Sequence, residues 1–281
     1  MKPFRSVAIL GVGLIGGSIG LALRQRGLAD RVIGLGRQRA RLDKARRRGA
    51  VDQTSTRWQE SLAGVELVIV CTPVGCIVEH VLQLAPCCDP GTIITDGGST
   101  KQVIVESLAG ALPDGIHFVG SHPMAGSEKT GVEFANADLF EGRIAIVTRQ
   151  QQTDRRALNT VQRLWEGIGS DVITMAPEAH DRAVGAVSHL PHLLASVLAA
   201  ATSTHDRRLA STGWLDTTRI AAGDPNLWQQ IFNENRDHVL ESIDQFTAAL
   251  EQFRAALCKD DQRTMKRVLK AGKSNRDALG S

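Results

Sequence analysis

The sequence predicts an α/β fold in which a mostly parallel sheet domain is followed by an all-helical domain. Three observations carry that expectation. Apolar runs of strand length alternate with helical stretches, the first run opens directly into a glycine-rich turn, and strand signals vanish beyond Pro177. Alternation of this kind builds a parallel sheet with helices on both faces. The expected division is residues 1–176 against residues 177–281.

Taken in order, Ser6 to Leu10 is a short apolar strand, and Gly11-Val12-Gly13-Leu14-Ile15-Gly16 follows at once, leading into an apolar helix from Gly17. Strand, glycine turn and helix are the context a dinucleotide-binding fingerprint requires, which makes the sheet domain Rossmann-type. Gly11 permits the tight turn, Gly13 lets the backbone reach a pyrophosphate, and Gly16 lets the helix pack on the strand. The N–H groups of the first helical turn, including Leu14 and Ile15, then face the anion. The second strand, Arg31 to Leu35, ends in Gly36-Arg37-Gln38-Arg39 rather than in an acidic residue. A carboxylate there accepts the ribose hydroxyls of NAD. Two guanidiniums instead suit a 2′-phosphate, so NADP is favoured and NAD is the other candidate. Arg37 and Arg39 also open a basic helix running to Arg48, in which seven of twelve residues are basic, and a solvated helix face explains them equally.

Glu66 to Cys71 reads as the next strand and releases the Thr72-Pro73 turn, and Thr92 to Asp96 releases Gly97-Gly98-Ser99-Thr100-Lys101. Ligands of open parallel sheets gather at the carboxyl ends of strands. Thr72 and Pro73 are therefore expected at the cofactor, and Ser99 at nicotinamide and substrate, although Ser99 also fits a helix N-cap. His117 to Gly120 is a further strand that delivers His122 to the same edge. Pro123 removes the next backbone donor and biases His122 toward an extended conformation. An imidazole with an ordinary pKa near 6.5 is mostly neutral at neutral pH and can accept a proton. Arg143 to Thr148, a helix from Arg155 to Ile168 and Asp171 to Met175 add a β-α-β tail. Helix periodicity takes over from Glu178, through the apolar stretch Leu193 to Ala201, and again from Leu227 onward. That stretch needs burial on more than one side, which suggests a homodimer core.

Composition bounds the function. The net charge of +3 implies no nucleic-acid partner, and the longest apolar runs are too short to span a bilayer. The N-terminus passes from Met1-Lys2-Pro3 straight into a strand without a signal-peptide pattern, so a cytoplasmic location without a membrane partner is expected. Five cysteines without metal or redox spacing read as reduced and mostly packed in the fold. His189 and His192 lack a third ligand at convincing spacing, so no metal is expected. His80, His117, His180, His205 and His238 read as structural or surface residues.

Four segments together carry a resemblance: Gly11 to Ser18, Ser121-His122-Pro123-Met124-Ala125-Gly126-Ser127-Glu128, Ser188-His189-Leu190-Pro191-His192, and Thr217 to Trp228. In this order they resemble the prephenate and arogenate dehydrogenase family of tyrosine biosynthesis, along essentially the whole chain. The resemblance implies oxidative decarboxylation of prephenate or arogenate with a nicotinamide cofactor, in a homodimer built through the helical domain. It places the catalytic histidine on His122 and, at the reacting hydroxyl, Ser99. The substrate-carboxylate arginine falls on Arg219, and Glu128, Ser188 and His192 fall on pocket positions. Trp228 falls on the tryptophan that follows the arginine motif, where packing between helices explains it as well as substrate contact does. Gly97-Gly98 before Ser99 departs from the family pattern. A β-hydroxyacid dehydrogenase, whose catalytic lysine lies in its helical half, is disfavoured because no lysine occurs there before Lys259. A non-enzymatic nicotinamide sensor would not need Ser99, His122 and Arg219 together.

Overall fold

The computed structural model describes residues 2–127 and 129–280. Six parallel strands, β1 (Val7–Leu10), β2 (Val32–Leu35), β3 (Gln53–Ser55), β4 (Leu67–Val70), β5 (Ile93–Asp96) and β6 (His117–Val119), form one sheet in the order β3-β2-β1-β4-β5-β6. The helices α1 (Leu14–Gln25), α2 (Arg39–Arg47), α3 (Ile77–Leu84) and α4 (Gln102–Leu108) connect them. Strands β1, β2, β4 and β5 are buried along their whole length, which is why they read as continuous apolar runs rather than alternating ones. Val7, Ile9, Leu67 and Ile69 pack with Ile19 and Leu23 of α1 on one face, and Ala8, Leu10, Val68 and Val70 pack with Ile77, Val81 and Leu84 of α3 on the other. Each such side chain contributes roughly 1.5–3 kcal/mol by burial. The strand order reverses between β1 and β4, opening a crevice at their carboxyl ends. Strand β3 carries no apolar signal because Gln53-Thr54-Ser55 is a short edge strand exposed or half-buried throughout.

The expected β-α-β tail is present, but it builds a second sheet. β7 (Ser121–Pro123) runs antiparallel to β8 (Ile144–Thr148), which runs parallel to β9 (Asp171–Met175) after the crossover helix α5 (Arg155–Gly167). His122 pairs with Ile146, so it sits within a strand of its own rather than in a loop released by the His117 to Gly120 strand. The chain leaves the first sheet at Gly120, because the Ser121 N–H donates to the Asp96 carboxylate at 3.0 Å instead of to a neighbouring strand.

The helical part begins with α6 (Pro177–Val184), a π turn at Gly185–His189 and α7 (Leu190–Ala201), followed by α8 (Thr212–Thr218), a 3-10 turn at Arg219–Ala222 and α9 (Pro225–Glu234). The chain forms two compact units, Met1–Asn235 and Arg236–Ser281. Helices α6 to α9 thus share a unit with the sheets. Asp181 accepts N–H groups at the start of α4, Glu234 accepts the Thr100 hydroxyl at 2.5 Å, and Gln230 accepts the Gly75 N–H at 3.3 Å. Because the π turn joins α6 to α7 without a break, Pro177–Ala201 is a 25-residue helix of hydropathy 1.5, long and apolar enough by length and composition to cross a membrane. The sequence reading, based on Leu193 to Ala201 alone, did not anticipate that length. Only 28% of its apolar window is buried within the chain, and Val187, Val197 and Leu198 are exposed. The second unit holds α10 (Arg236–Cys258) and α11 (Gln262–Asp277), the latter capped by Asp261, which accepts the Thr264 N–H at 3.0 Å.

Candidate active site

The glycine turn has the geometry a bound pyrophosphate needs. Gly11 has φ +92°, and a Cβ there would lie 2.6 Å from the Cys71 carbonyl oxygen, so only glycine fits. Gly16 lies against the Gly11 carbonyl, while the space beside Gly13 is open. At the start of α1, the N–H groups of Leu14, Ile15 and Gly16 lie in the first helical turn and lack intrahelical acceptors. Arg37 is exposed just beyond β2, whereas Arg39 is drawn toward Asp43 at 3.4 Å within α2. Thr72 lies 2.9 Å from His80 Nδ1, and Pro73 opens the 3-10 turn Val74–Cys76. Burial pushes His80 below its ordinary pKa, and the Arg37 charge adds to that against Glu79.

The three loops meet at Gly97. Its Cβ position lies 3.5 Å from Ile15, 3.6 Å from the Cys71 sulfur and 3.9 Å from Pro123, which brings the glycine turn beside the strand that carries His122. The unusual Gly98 has a packing reason: a Cβ there would lie 2.6 Å from Ile77 and 2.8 Å from the Asp96 carboxylate. Ser99 is half-buried in this loop, and it is not the N-cap of α4. That helix starts at Gln102, and its cap is Asp181, whose oxygens accept the Lys101 and Gln102 N–H groups at 2.8 and 2.9 Å.

Beneath the loop lies a fully buried ion pair between Asp96 and Lys101. Asp96 also accepts N–H groups from Gly98 at 2.8 Å and Ser121 at 3.0 Å, so its carboxylate ties β5, its loop and β7 together. His122 is 8% exposed, and its Nδ1 lies 2.9 Å from His180 Nε2. His180 Nδ1 in turn lies 2.7 Å from Asp181 Oδ1. Burial holds His122 well below its ordinary pKa, with His180, Lys101 and His189 adding repulsion, so the imidazole is neutral at neutral pH. Burial likewise lowers His180, opposed by its hydrogen bond to Asp181. The Asp181 carboxyl is held below the carboxylate range, since the His180 bond and the backbone N–H groups outweigh its burial.

On the helical side, His192 is buried and stacks on Trp228 at 3.5 Å between ring centroids, with its Nδ1 lacking a hydrogen-bond partner. Ser188 is half-buried in the π turn. His189 does not join His192 as a ligand pair, because its Nδ1 accepts from Asn235 at 3.0 Å, and burial pushes it down to about 4. Arg219 is exposed and makes no hydrogen bond or ion pair among the described side chains, so it stands outside the hydrogen-bonded cluster. Glu128 lies outside the described residues.

The polar layer behind His122 was not found from the sequence. His180, read there as structural or surface, is fully buried against His122, and Asp181, Asp96, Lys101 and Asn235 complete the layer. The available signals were an acid closing a buried strand at Asp96 and a His-Asp pair just after the Pro177 helix start.

A nucleotide-binding domain described as that of prephenate dehydrogenase matches residues 19–174, and the prephenate dehydrogenase dimerization domain matches residues 176–271. The chain belongs to the prephenate dehydrogenase family. It is accordingly an oxidoreductase of that family. It is similar to the prephenate dehydrogenase of Bacillus subtilis, at 33% identity over 98% of this chain and 76% of that one. It is similar also to a solved prephenate dehydrogenase from Aquifex aeolicus in complex with hydroxyphenyl propionate and NAD+, at 33% identity and a TM-score of 0.91 over 98% of both chains. The arogenate dehydrogenase of Synechocystis superposes with a TM-score of 0.84 at 29% identity, over 98% of this chain and 99% of that one.

Proposed function

We propose that the chain oxidatively decarboxylates prephenate, arogenate or both, to 4-hydroxyphenylpyruvate or tyrosine, within tyrosine biosynthesis. The observation that carries this reading is a buried, neutral His122 beside the loop where Gly97 meets Ile15 and Pro123. The nicotinamide cofactor supplies a hydride acceptor. Gly11, Gly13, Leu14, Ile15 and Gly16 bind its pyrophosphate, Thr72 and Pro73 line the far side of the crevice, and Arg37 and Arg39 face the ribose, with NADP favoured over NAD. Arg37 has the larger part because Arg39 is engaged by Asp43.

His122 accepts the proton of the ring hydroxyl as the carbon bearing it loses hydride, and the C–O bond becomes a carbonyl. When CO2 leaves, the electron pair of the broken C–C bond passes through the ring to that oxygen. The proton held on His122 returns to it, and the ring is aromatic. A positioned base typically contributes about 10² to 10⁴ in rate. Ser99 hydrogen-bonds the same oxygen. Arg219 holds the side-chain carboxylate, because clamping the departing carboxylate would oppose its loss. Ser188, His192 and Trp228 line the substrate pocket, and the His192–Trp228 stack gives it a flat, dry wall.

The functional division we propose lies between residues 176 and 177, separating cofactor binding from a helical dimerisation and substrate domain; the two family matches, which end at residue 174 and begin at residue 176, support a division close to it. The exposed apolar side chains Val187, Val197, Leu198, Leu209 and Leu215 suit a homodimer interface, which also accounts for the apolar length of Pro177–Ala201 in a cytoplasmic enzyme. Incubation with prephenate or arogenate and either cofactor, following reduced-cofactor absorbance, tests the reaction. No turnover with any of the four pairs overturns it, and parallel kcat/KM values assign the substrate.

A further inference from the structure

His122, His180 and Asp181 form a chain of three groups whose proton positions are fixed by elimination. Asp181 can only accept: Oδ1 receives the Lys101 N–H, Oδ2 receives the Gln102 N–H, and His180 Nδ1 lies 2.7 Å from Oδ1. His180 must therefore donate from Nδ1, which leaves the lone pair of the neutral ring on Nε2. His122 Nδ1, 2.9 Å away, must donate to that lone pair. The lone pair of His122 is then on Nε2, the nitrogen turned away from His180.

We propose that His180 and Asp181 are positioning residues that fix this tautomer of His122 and take up the positive charge when His122 accepts the substrate proton. This rests on the reading of His122 as the proton acceptor. As the substrate O–H bond breaks, an N–H bond forms at His122 Nε2. The N–H bond at His122 Nδ1 breaks and one forms at His180 Nε2. The charge then rests on His180, hydrogen-bonded to the Asp181 carboxylate. Both transfers reverse when the ring oxygen recovers its proton, so no proton is gained or lost.

The surroundings explain why charge moves inward. Around the two rings stand Asp96 at the end of β5, Lys101 from the β5–α4 loop, His189 from the π turn and Asp181 from α6, with Glu234 of α9 beyond them beside Thr100, Lys101 and Asp181. Lys101 opposes a cation on either ring, whereas the hydrogen bond and the charge of Asp181 favour one on His180. Asp96 is taken up by Lys101 and two N–H groups, and Glu234 accepts the Thr100 hydroxyl. Among the described residues, Asp181 is the carboxylate bonded to the imidazole pair. Asn235 holds it in place by donating to the Asp181 carbonyl at 2.7 Å while donating to His189.

The test combines histidine ¹⁵N NMR on the full chain with pH profiles of His180→Gln and Asp181→Asn. In the wild type, His122 and His180 both carry the proton on Nδ1 at neutral pH, and Asp181→Asn gives mixed tautomers. In His180→Gln, kcat falls about 10²-fold, the lower end of what a positioned base contributes. Its KM stays within about threefold, and the acid limb of kcat/KM moves to lower pH. Asp181 also caps α4, so Asp181→Asn can lose stability, whereas His180→Gln leaves that cap intact and keeps the comparison open. A His122 proton on Nε2, or a folded His180→Gln with wild-type kcat and acid limb, overturns the proposal. An active His122→Asn overturns instead the reading of His122 on which it rests, and the tautomers read by NMR tell the two failures apart.

Discussion

At the glycine turn, neighbours in sequence act mainly through backbone atoms. Gly11 bends at φ +92°, Gly13 leaves open space, and the first turn of α1 presents its N–H groups. Beneath His122, side chains from β5, β7, α6, the π turn and the end of α9 do the positioning, and sequence separations of 25 to 80 residues are closed by single hydrogen bonds. The first region tolerates change away from its glycines, because backbone geometry carries it. The second is a buried polar network in low dielectric, where each partner depends on the others and a missing one leaves an unpaired group.

The sharpest way to break this comparison is at its boundary. His122→Asn is expected to lower kcat by about 10² to 10⁴-fold while leaving the cofactor Kd from fluorescence titration unchanged, since the glycine turn proposed to hold the cofactor does not use the imidazole. A parallel loss of cofactor affinity would mean that the two regions are one. Next is the buried pair. Lys101→Met alone strands the Asp96 carboxylate and is expected to cost about 3–5 kcal/mol in denaturant unfolding, and the double variant with Asp96→Asn recovers part of that. Purely additive losses would show that the ion pair is not a unit.

The pH dependence of stability probes the same layer. His189 is pushed down to about 4 in the folded chain, and His122 and His180 are lowered in the same direction. A lowered folded-state pKa means that the unfolded chain binds more protons. Stability from these groups is therefore complete above the unfolded value near 6.5 and is lost as pH falls through the window from 6.5 to 4. His189 contributes on the order of 3 kcal/mol to that loss, and His189→Gln should flatten the midpoint of denaturation against pH over this window. The smallest effect belongs to the exposed edge. Arg37→Ala should weaken NADP by about 1.5–3 kcal/mol at low salt, with little change in NAD, as measured by Kd for each cofactor. Equal losses would move the phosphate contact elsewhere.

How much of this was legible follows from where the information sits. Strands β1, β2, β4 and β5 announce themselves because each is buried on both faces and so is continuously apolar. β3 does not, because it is a polar edge. β7 was hidden for another reason: three residues cannot show a period, and the partner that makes Ser121–Pro123 a strand is Ile144–Thr148. The same holds within the site. His122 was readable from Pro123 and the residues that follow it, whereas His180 looked like any helical histidine until the fold set its Nε2 beside His122 Nδ1. The expected division at residue 177 marks the last strand, while the compact units divide at residues 235 and 236, because Asp181, Gln230 and Glu234 tie α6 and α9 to the sheet loops.

By itself, the sequence determined the parallel sheet, the glycine turn with its conformational demand, the helical second part and the histidine at the strand edge. Each of these is a local property, set by the apolar run, backbone freedom or proline within a few residues. Only the tertiary structure decided the second sheet, the cap of α4 by Asp181 and the buried layer of Asp96, Lys101, His180 and Asn235. Those depend on which polar groups meet when distant segments are desolvated together, and a buried charge or imidazole takes its protonation and its orientation from that company.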